Sequence, residues 1–416
     1  MKYGLIGERL GHSFSKEIHE SINNYTYEIC EVSKENFDDF MTKREFVAIN
    51  VTIPYKEKVI PYLDFIDDAA KTIGAVNTIV NKNGKLYGYN TDFLGLRDLV
   101  LTNNIEVKNK KVVILGDGGT AKTANAVFKA LGAKSINFVS LDPKGEACSY
   151  EDVKKLHLDA EIIVNATPCG MYPHNDDLIL DIEGFDKLEA VVDVIYNPLV
   201  TSIVRKALDK NIKAVTGLYM LVAQAVYASG IFMGTEYDKN IINKIYNQIK
   251  KQKQNVVLIG MPSSGKSTIG QVLKEKLNKT FIDTDALIED HLGMPISNFL
   301  NKDSEDAFRD IEEQVIAEVA KKNNLIISTG GGVIKRKNNI IRLKANGIVI
   351  FIDRPLPLLE ATNNRPLSSN RIALEKLYFE RYDLYEDACD VKITNDTKLE
   401  EVIEKVIKEV NKFYEN

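Results

Sequence analysis

Asn255-Val-Val-Leu-Ile-Gly-Met-Pro-Ser-Ser-Gly-Lys-Ser-Thr268 is the stretch on which the architecture turns. Residues 255–259 form an apolar run of the length expected for a buried strand, and residues 269–277 continue as an amphipathic helix. Strand, glycine loop, Lys-Ser and helix, in that order, make a phosphate-binding loop in its required context. The glycines let the backbone curl so that N–H groups point inward at a phosphate, and the helix N-terminus adds positive potential. Gly260, Ser263, Ser264, Gly265, Lys266, Ser267 and Thr268 are the expected ATP-binding residues, with Lys266 reaching the terminal phosphates and Ser267 holding Mg²⁺. A Gly/Ser turn that happens to contain a lysine is the plain alternative, and the flanking strand and helix argue against it. Such a loop normally opens a domain, so residues 1–254 must form something else.

The 416-residue chain has room for roughly two to three domains. With 44% hydrophobic and 27% charged residues, each part can bury a core. A net charge of −5 argues against nucleic acid or an anionic membrane as the main partner, so the basic residues that matter should face small anions. Cys30, Cys148, Cys169 and Cys389 are scattered without a CxxC, which fits a reducing cytoplasm better than a disulfide framework. The histidines form no HExxH or His/Cys cluster, so no protein-ligated zinc is expected. No apolar run approaches the ~18 residues needed to span a bilayer. Residues 1–7 read as the start of a strand, too short for a signal peptide.

Residues 2–7 lead into Glu8-Arg-Leu-Gly-His-Ser-Phe-Ser-Lys16. Ser13 and Ser15, at alternate positions, can both donate to one carboxylate; Ser15 also suits the N-cap of the helix that follows. Phe46-Val-Ala-Ile-Asn-Val-Thr-Ile53 reads as a second strand, ending at Pro54-Tyr-Lys56. That puts Lys56 just past a strand end, beside Thr52, although most lysines are simply solvated. Asn77 and Asp92 are polar residues among apolar ones, and Asp92 too suits an N-cap. His-Ser-Phe-Ser, Asn-Val-Thr-Ile-Pro-Tyr-Lys, Gly-Ala-Val-Asn-Thr-Ile and Tyr-Asn-Thr-Asp, in this order, resemble shikimate dehydrogenase. The resemblance implies a substrate site of Ser13, Ser15, Thr52, Asn77 and Asp92, with Lys56 and Asp92 as the catalytic pair. Reducing a ring ketone puts negative charge on its oxygen; an ammonium beside a carboxylate stabilises that charge and delivers the proton.

Residues 110–115 read as a strand, Gly116-Asp-Gly-Gly-Thr-Ala121 as its turn and residues 122–131 as a helix. This is a dinucleotide-binding turn in context, so Gly116, Gly118, Gly119, Thr120 and Ala121 are expected at the cofactor. After the next strand, residues 135–139, comes Ser140-Leu-Asp-Pro-Lys144. An acidic residue here favours the ribose 2′-hydroxyl of NAD, an arginine the 2′-phosphate of NADP. The family typically shows Asn-Arg-Thr, with the arginine on the phosphate; here Leu141 takes its place, Asp142 is nearby, and Lys144 is a weaker point-charge substitute. Ser140 and Asp142 join the cofactor set. NADPH is the family coenzyme; the departure implies a weakened preference for it, with NADH possible. The resemblance further implies that Thr167, Val194 and Gly217 lie beside the cofactor, and that Tyr196 and Gln224 reach the substrate. The chain then leaves the first domain and returns, giving a discontinuous substrate-binding domain (1–98 and 217–249) around a Rossmann-like domain (99–216). Ile241, Ile242, Ile245, Tyr246 and Ile249 predict a final helix, and residues 250–254 a short polar linker reaching at most ~20 Å.

Beyond the phosphate loop, Thr280-Phe-Ile-Asp-Thr-Asp285 is a strand ending in two carboxylates near the expected Mg²⁺ site, one to support the metal and one to handle an acceptor hydroxyl. Residues 303–320 read as a helix with Phe308, Ile311, Val315 and Val319 on one face. Arg309 lies off that stripe, where a surface pairing with Glu312 or Glu313 is the plain alternative. Residues 325–333 run from a strand into Gly330-Gly-Gly332, which permits close backbone approach to a ligand. Asp-Thr-Asp, Phe-Arg-x-x-Glu, the triple glycine, Arg365-Pro-Leu367 and Arg381 together resemble shikimate kinase across 255–416. The resemblance implies that Arg309, Arg381 and Gly331 hold the shikimate carboxylate. It gives Asp285 the ring hydroxyls and proton removal, Asp283 the support of Mg²⁺, and Arg365 a place on a mobile lid at ATP.

The expected fold class is α/β: a substrate domain and a Rossmann-like domain, then a P-loop, nucleoside-monophosphate-kinase-like α/β/α domain with a parallel sheet. The expected chemistry is two consecutive steps, reduction of 3-dehydroshikimate to shikimate and phosphorylation of shikimate by ATP, in a cytoplasmic monomer or homodimer. Quinate as the first substrate, or one half acting as a non-catalytic binding module, are the alternatives; Lys56, Asp92, Lys266 and Asp285 are all present, against the second.

Overall fold

Short apolar runs broken by Gly, Asn and Asp punctuation become sixteen strands among the described residues, which are all but 12, 146, 173, 174, 176, 362–369 and 416 of this computed structural model. The first six are β1 (Tyr3–Gly7), β2 (Tyr27–Glu31), β3 (Ala48–Val51), β4 (Phe65–Ile66), β5 (Thr78–Lys82) and β6 (Lys85–Tyr89), in the order β2-β1-β3-β5-β6-β4. β1 pairs parallel with β2 and β3, while β5 runs antiparallel to β3 and β6. The β5–β6 hairpin closes on Asn83-Gly84, both at positive φ (52° and 81°), a twist that suits a two-residue hairpin loop.

Five parallel strands follow: β7 (Lys111–Leu115), β8 (Ser135–Val139), β9 (Ile162–Asn165), β10 (Ala190–Asp193) and β11 (Lys213–Val215), in the order β11-β10-β9-β7-β8. The order reverses at β7. In an open sheet of this kind the crevice at the carboxyl end of that strand is where ligands bind, and the glycine turn after β7 opens there. Helices Thr91–Thr102 and Leu218–Met233 pack on each other so closely that a Cβ on Gly95 would lie 2.7 Å from the Met220 carbonyl oxygen. The second of these helices buries most of its faces, including Gln224.

Two compact units, Met1–Ile249 and Lys250–Asn416, divide the chain. The helix expected to stop at Ile249 spans Asn240–Lys253, so the residues expected to be a linker are helical through Lys253. In the second unit β12 (Asn255–Ile259), β13 (Thr280–Asp283), β14 (Leu325–Ser328), β15 (Gly347–Asp353) and β16 (Val391–Thr394) form a parallel sheet, order β13-β14-β12-β15-β16. Val257 and Ile259 pack on one face of β12, Val256 and Leu258 on the other, so the strand is apolar throughout and its loop exits at the reversal point. No helix among the described residues is long and apolar enough to cross a membrane.

Gly95→Ala forces a methyl group against a backbone carbonyl at the centre of the first unit. It is expected to destabilise that unit by ~1–3 kcal/mol, read as a lowered urea midpoint.

Candidate active sites

β3 delivers the chain to Lys56, whose ammonium lies 2.6 Å from Asp92 Oδ2; both side chains are largely buried. Asp92 is free for this pairing because another residue caps its helix: Asn90 accepts from the Phe93 N–H at 3.1 Å. Capping, the plain role of Asp92, is therefore not what it does. Ser15 does not cap either; Phe14 holds that position without a side-chain bond. Instead Ser13 donates to Ser15 at 3.0 Å and is hydrogen-bonded to the Tyr196 phenol, whose acidity burial suppresses. Asn77 receives the Thr91 N–H at 2.7 Å and donates to Thr91 Oγ1 at 3.0 Å and to Gln224 Oε1 at 3.5 Å. Gln224 thus meets Asn77 across 147 residues of sequence. Half-buried Thr52 follows β3, its N–H on the Ile6 carbonyl at 3.0 Å. Thr91 and Thr78, bonded to each other at 3.1 Å, complete the polar cluster and were not singled out from sequence.

The glycine turn sits beside this site: a Cβ on Gly119 would lie 3.8 Å from the Lys56 Cβ. The turn is shorter than expected, because the helix already begins at Gly119 and takes in Thr120 and Ala121; Gly118 is its extended N-cap. Gly116, at φ 103°, would drive a Cβ to 2.9 Å from Thr167 Cγ2, which brings the loops after β7 and β9 together. A Cβ on Gly217 would lie 1.9 Å from the Val194 carbonyl oxygen, so only glycine fits there. Ser140 donates to Asp117 at 2.8 Å, while Asp142 is exposed and pairs with Lys144 at 3.1 Å. Asp193, absent from the expected set, ties these loops: it accepts from Thr201 Oγ1 (2.6 Å), the Ile195 N–H (2.9 Å) and Asn165 Nδ2 (3.1 Å). Asn165 in turn accepts from Thr167 Oγ1 at 2.8 Å. A lone carboxylate inside Val191-Val-Asp-Val-Ile195 was the available signal. Burial pushes Asp193 up from 3.8 to about 6, against its three donors.

In the second unit Gly260, Ser263 and Gly265 adopt positive φ, and the helix Lys266–Leu277 starts at the lysine itself. The Lys266 ammonium donates to the carbonyls of Gly260 and Met261, both at 2.9 Å, holding the loop around it. Buried Ser264 gives its carbonyl to Asn395 Nδ2 at 2.8 Å, an anchor that sequence did not indicate; Thr268 lies exposed in the first turn of the helix. Ser267 Oγ donates to Asp283 Oδ2 at 2.7 Å, while Asp283 Oδ1 caps the next helix at the Asp285 N–H, 3.1 Å away. A hydroxyl and a carboxylate oxygen side by side at a phosphate loop fit a hard cation that keeps most of its own water.

The three glycines each make way for one neighbour. A Cβ on Gly330 would lie 2.4 Å from Asp285 Oδ1, on Gly331 3.0 Å from Pro262 Cδ, and on Gly332 2.2 Å from the Arg309 guanidinium. Arg309 is no surface partner: it is 5% exposed and bonded to Glu312 (2.8 Å) and Glu305 (2.9 Å). Burial works against its charge, but the two carboxylates outweigh it and raise its pKa. Burial raises the Glu312 carboxyl, with Arg309 opposing. Arg381 and Tyr385 both donate to the Gly331 carbonyl. Arg381 Nε and Glu312 Oε1, both buried, have no hydrogen-bond partner among the described residues, as expected of a pocket prepared for a polar ligand. Arg365 lies outside the described residues.

Polar groups gathered at a sheet's carboxyl edge beside a dinucleotide turn belong to an oxidoreductase. A phosphate loop beside a buried cationic pocket belongs to a kinase with a small anionic acceptor. Residues 5–79 match the shikimate dehydrogenase substrate binding domain, and residues 262–411 match shikimate kinase. Over 266 residues the chain is 37% identical to the shikimate dehydrogenase (NADP(+)) of Clostridium perfringens (strain SM101 / Type A), covering 60% of this chain and 98% of that protein. The crystal structure of shikimate dehydrogenase 1 from Peptoclostridium difficile is similar at a TM-score of 0.56 and 38% identity, over 60% of this chain and 98% of that one. A chorismate mutase/shikimate 5-dehydrogenase fusion protein from Clostridium acetobutylicum is similar at a TM-score of 0.56 and 36% identity, over 60% and 97%. The chain belongs to the shikimate dehydrogenase family and carries a shikimate kinase domain behind that region.

The raised Asp193 value has a defined consequence. Between about pH 4 and 6 the folded chain keeps a proton that the unfolded chain has released, because the carboxyl moves from 3.8 to about 6. Its contribution to stability is therefore full below pH ~4 and lost as pH rises through 6, by roughly 3 kcal/mol. The stability of wild type relative to Asp193→Asn should fall by about that amount from pH 4 to 7 in urea titrations; a pH-independent difference would refute it.

Proposed function

We propose that the first unit reduces 3-dehydroshikimate to shikimate and that the second phosphorylates shikimate from ATP to shikimate 3-phosphate. The 2.6 Å Lys56–Asp92 pair, set beside a dinucleotide turn, is the observation that carries the first assignment. The Asp285–Arg309–Arg381 pocket around the triple glycine supports the second. A substrate lobe of 1–98 with 217–249, a coenzyme lobe of 99–216 and a kinase domain of 255–416 are the corresponding parts.

When bound, the nicotinamide supplies a hydride, and ATP with Mg²⁺ supplies the phosphoryl group. Lys56 holds the proton that the ketone oxygen takes as the carbonyl carbon is reduced. Asp92 aims that ammonium and accepts from a ring hydroxyl. Ser13 and Ser15 bind the substrate carboxylate, with Tyr196 against them, and Thr52, Asn77 and Gln224 fix the ring. In the kinase, Arg309 and Arg381 bind the shikimate carboxylate, with Glu312 holding Arg309 in place. Asp285 accepts the proton of the acceptor hydroxyl. Lys266 exchanges its two carbonyl partners for phosphate oxygens, and Ser267 and Asp283 would hold Mg²⁺. Leu141, 92% exposed, offers no cation to a 2′-phosphate, so weakened NADPH preference with real NADH use is the coenzyme reading. Four unpaired thiols and small-metabolite substrates support a cytoplasmic setting.

Lys56→Ala should lower dehydrogenation by at least about a hundredfold and leave phosphorylation intact, and Lys266→Ala should do the reverse. A folded variant that lost both activities would contradict two independent sites. Comparing kcat/KM for NADPH and NADH checks the coenzyme reading; a strong NADPH preference would sink it.

A further inference from the structure

In an open α/β sheet of this order, the coenzyme's adenosine ribose lies at the carboxyl ends of the first two strands, here β7 and β8. The group standing there decides between a ribose 2′-hydroxyl and a 2′-phosphate. Asp142 is at about the sequence distance where a ribose-reading acid is sought, but it is 82% exposed at the side chain and already paired with Lys144. Asp117 is different. It projects from the glycine turn itself, and its Oδ2 accepts from Ser140 Oγ at 2.8 Å. Ser140 is 5% exposed at the end of β8 and is further held by the Asp142 N–H at 3.3 Å. The carboxylate is thus anchored between β7 and β8 by a buried hydroxyl rather than left on a mobile loop. Leu141 adds no charge and Lys144 is paired with Asp142, so Asp117 is the surplus charge among the described residues of this cluster.

We infer that Asp117 is the specificity-determining residue for the coenzyme: it accepts from a ribose 2′-hydroxyl and repels a 2′-phosphate, so that NADH is the preferred coenzyme of the first unit. A 2′-hydroxyl has a proton to donate to a carboxylate. A phosphate dianion has none and meets like charge, which is discrimination by repulsion as much as by attraction. The inference rests on the dehydrogenase reading above and sharpens its coenzyme choice.

The test uses full-length wild type, Asp117→Asn and Asp117→Ala. Dissociation constants for NADH and NADPH come from nicotinamide fluorescence titration, with kcat/KM for each coenzyme measured alongside. Wild type should bind NADH more tightly than NADPH, and both variants should move the ratio of constants toward NADPH by at least about tenfold. Asp117→Asn is isosteric at an exposed position and should keep the wild-type melting temperature. An unchanged ratio in both variants, or a shift in Asp142→Ala with none in the Asp117 variants, overturns the assignment while leaving an active dehydrogenase. A wild-type chain that turns over with neither coenzyme overturns the dehydrogenase reading and this inference with it.

Discussion

A parallel strand buried on both faces has no place for a polar group except where it ends, and this constraint organises both units. β9 and β10 are buried at every position, and their last residues are Asn165 and Asp193. β14 and β15, equally buried, end in Ser328 and Asp353, and their edge neighbour β13 ends in Asp283. The apolar body of each strand supplies the driving force for folding. The polar terminus of each fully buried strand lies buried at the carboxyl edge of the sheet, near a reversal in strand order, where open sheets of this kind bind ligands. Site and core are thus consequences of one arrangement.

Holding a small anion at such an edge demands that loops approach more closely than side chains allow. Gly217 abuts the Val194 carbonyl, Gly330 the Asp285 carboxylate and Gly332 the Arg309 guanidinium, each at a separation a Cβ would violate. Arg309, held this way, is charged and buried, which is costly unless it is paired. Arg309 is offset by Glu312 and Glu305, and Lys56 by Asp92. These pairs keep charge in place at sites from which water is partly excluded, where it acts on a substrate most strongly.

The strand-loop-helix order around Gly260–Lys266 and Gly116–Gly119 was legible because turn chemistry and apolar period are local. The candidate residues were picked out because each lies in a short ordered motif. What local pattern misjudged was environment. Asp92 and Ser15 both sit where caps are common, yet Asn90 and Phe14 occupy the cap positions. Arg309 falls off the apolar stripe of its helix but is buried, because Gly332 lets the loop after β14 close over it. Asp117 gave no signal, since its meaning depends on Ser140, 23 residues away.

By itself the sequence determined the fold class, the two phosphate- and dinucleotide-binding turns and the two families, because backbone freedom at glycine and the period of apolar residues are properties of neighbours along the chain. Only the tertiary structure decided which carboxylates pair with which cations. Gln224 meets Asn77 across 147 residues, and Asn395 reaches Ser264 across 131. Such contacts follow from strand order and helix packing, which set distance and burial and therefore the charge each group carries.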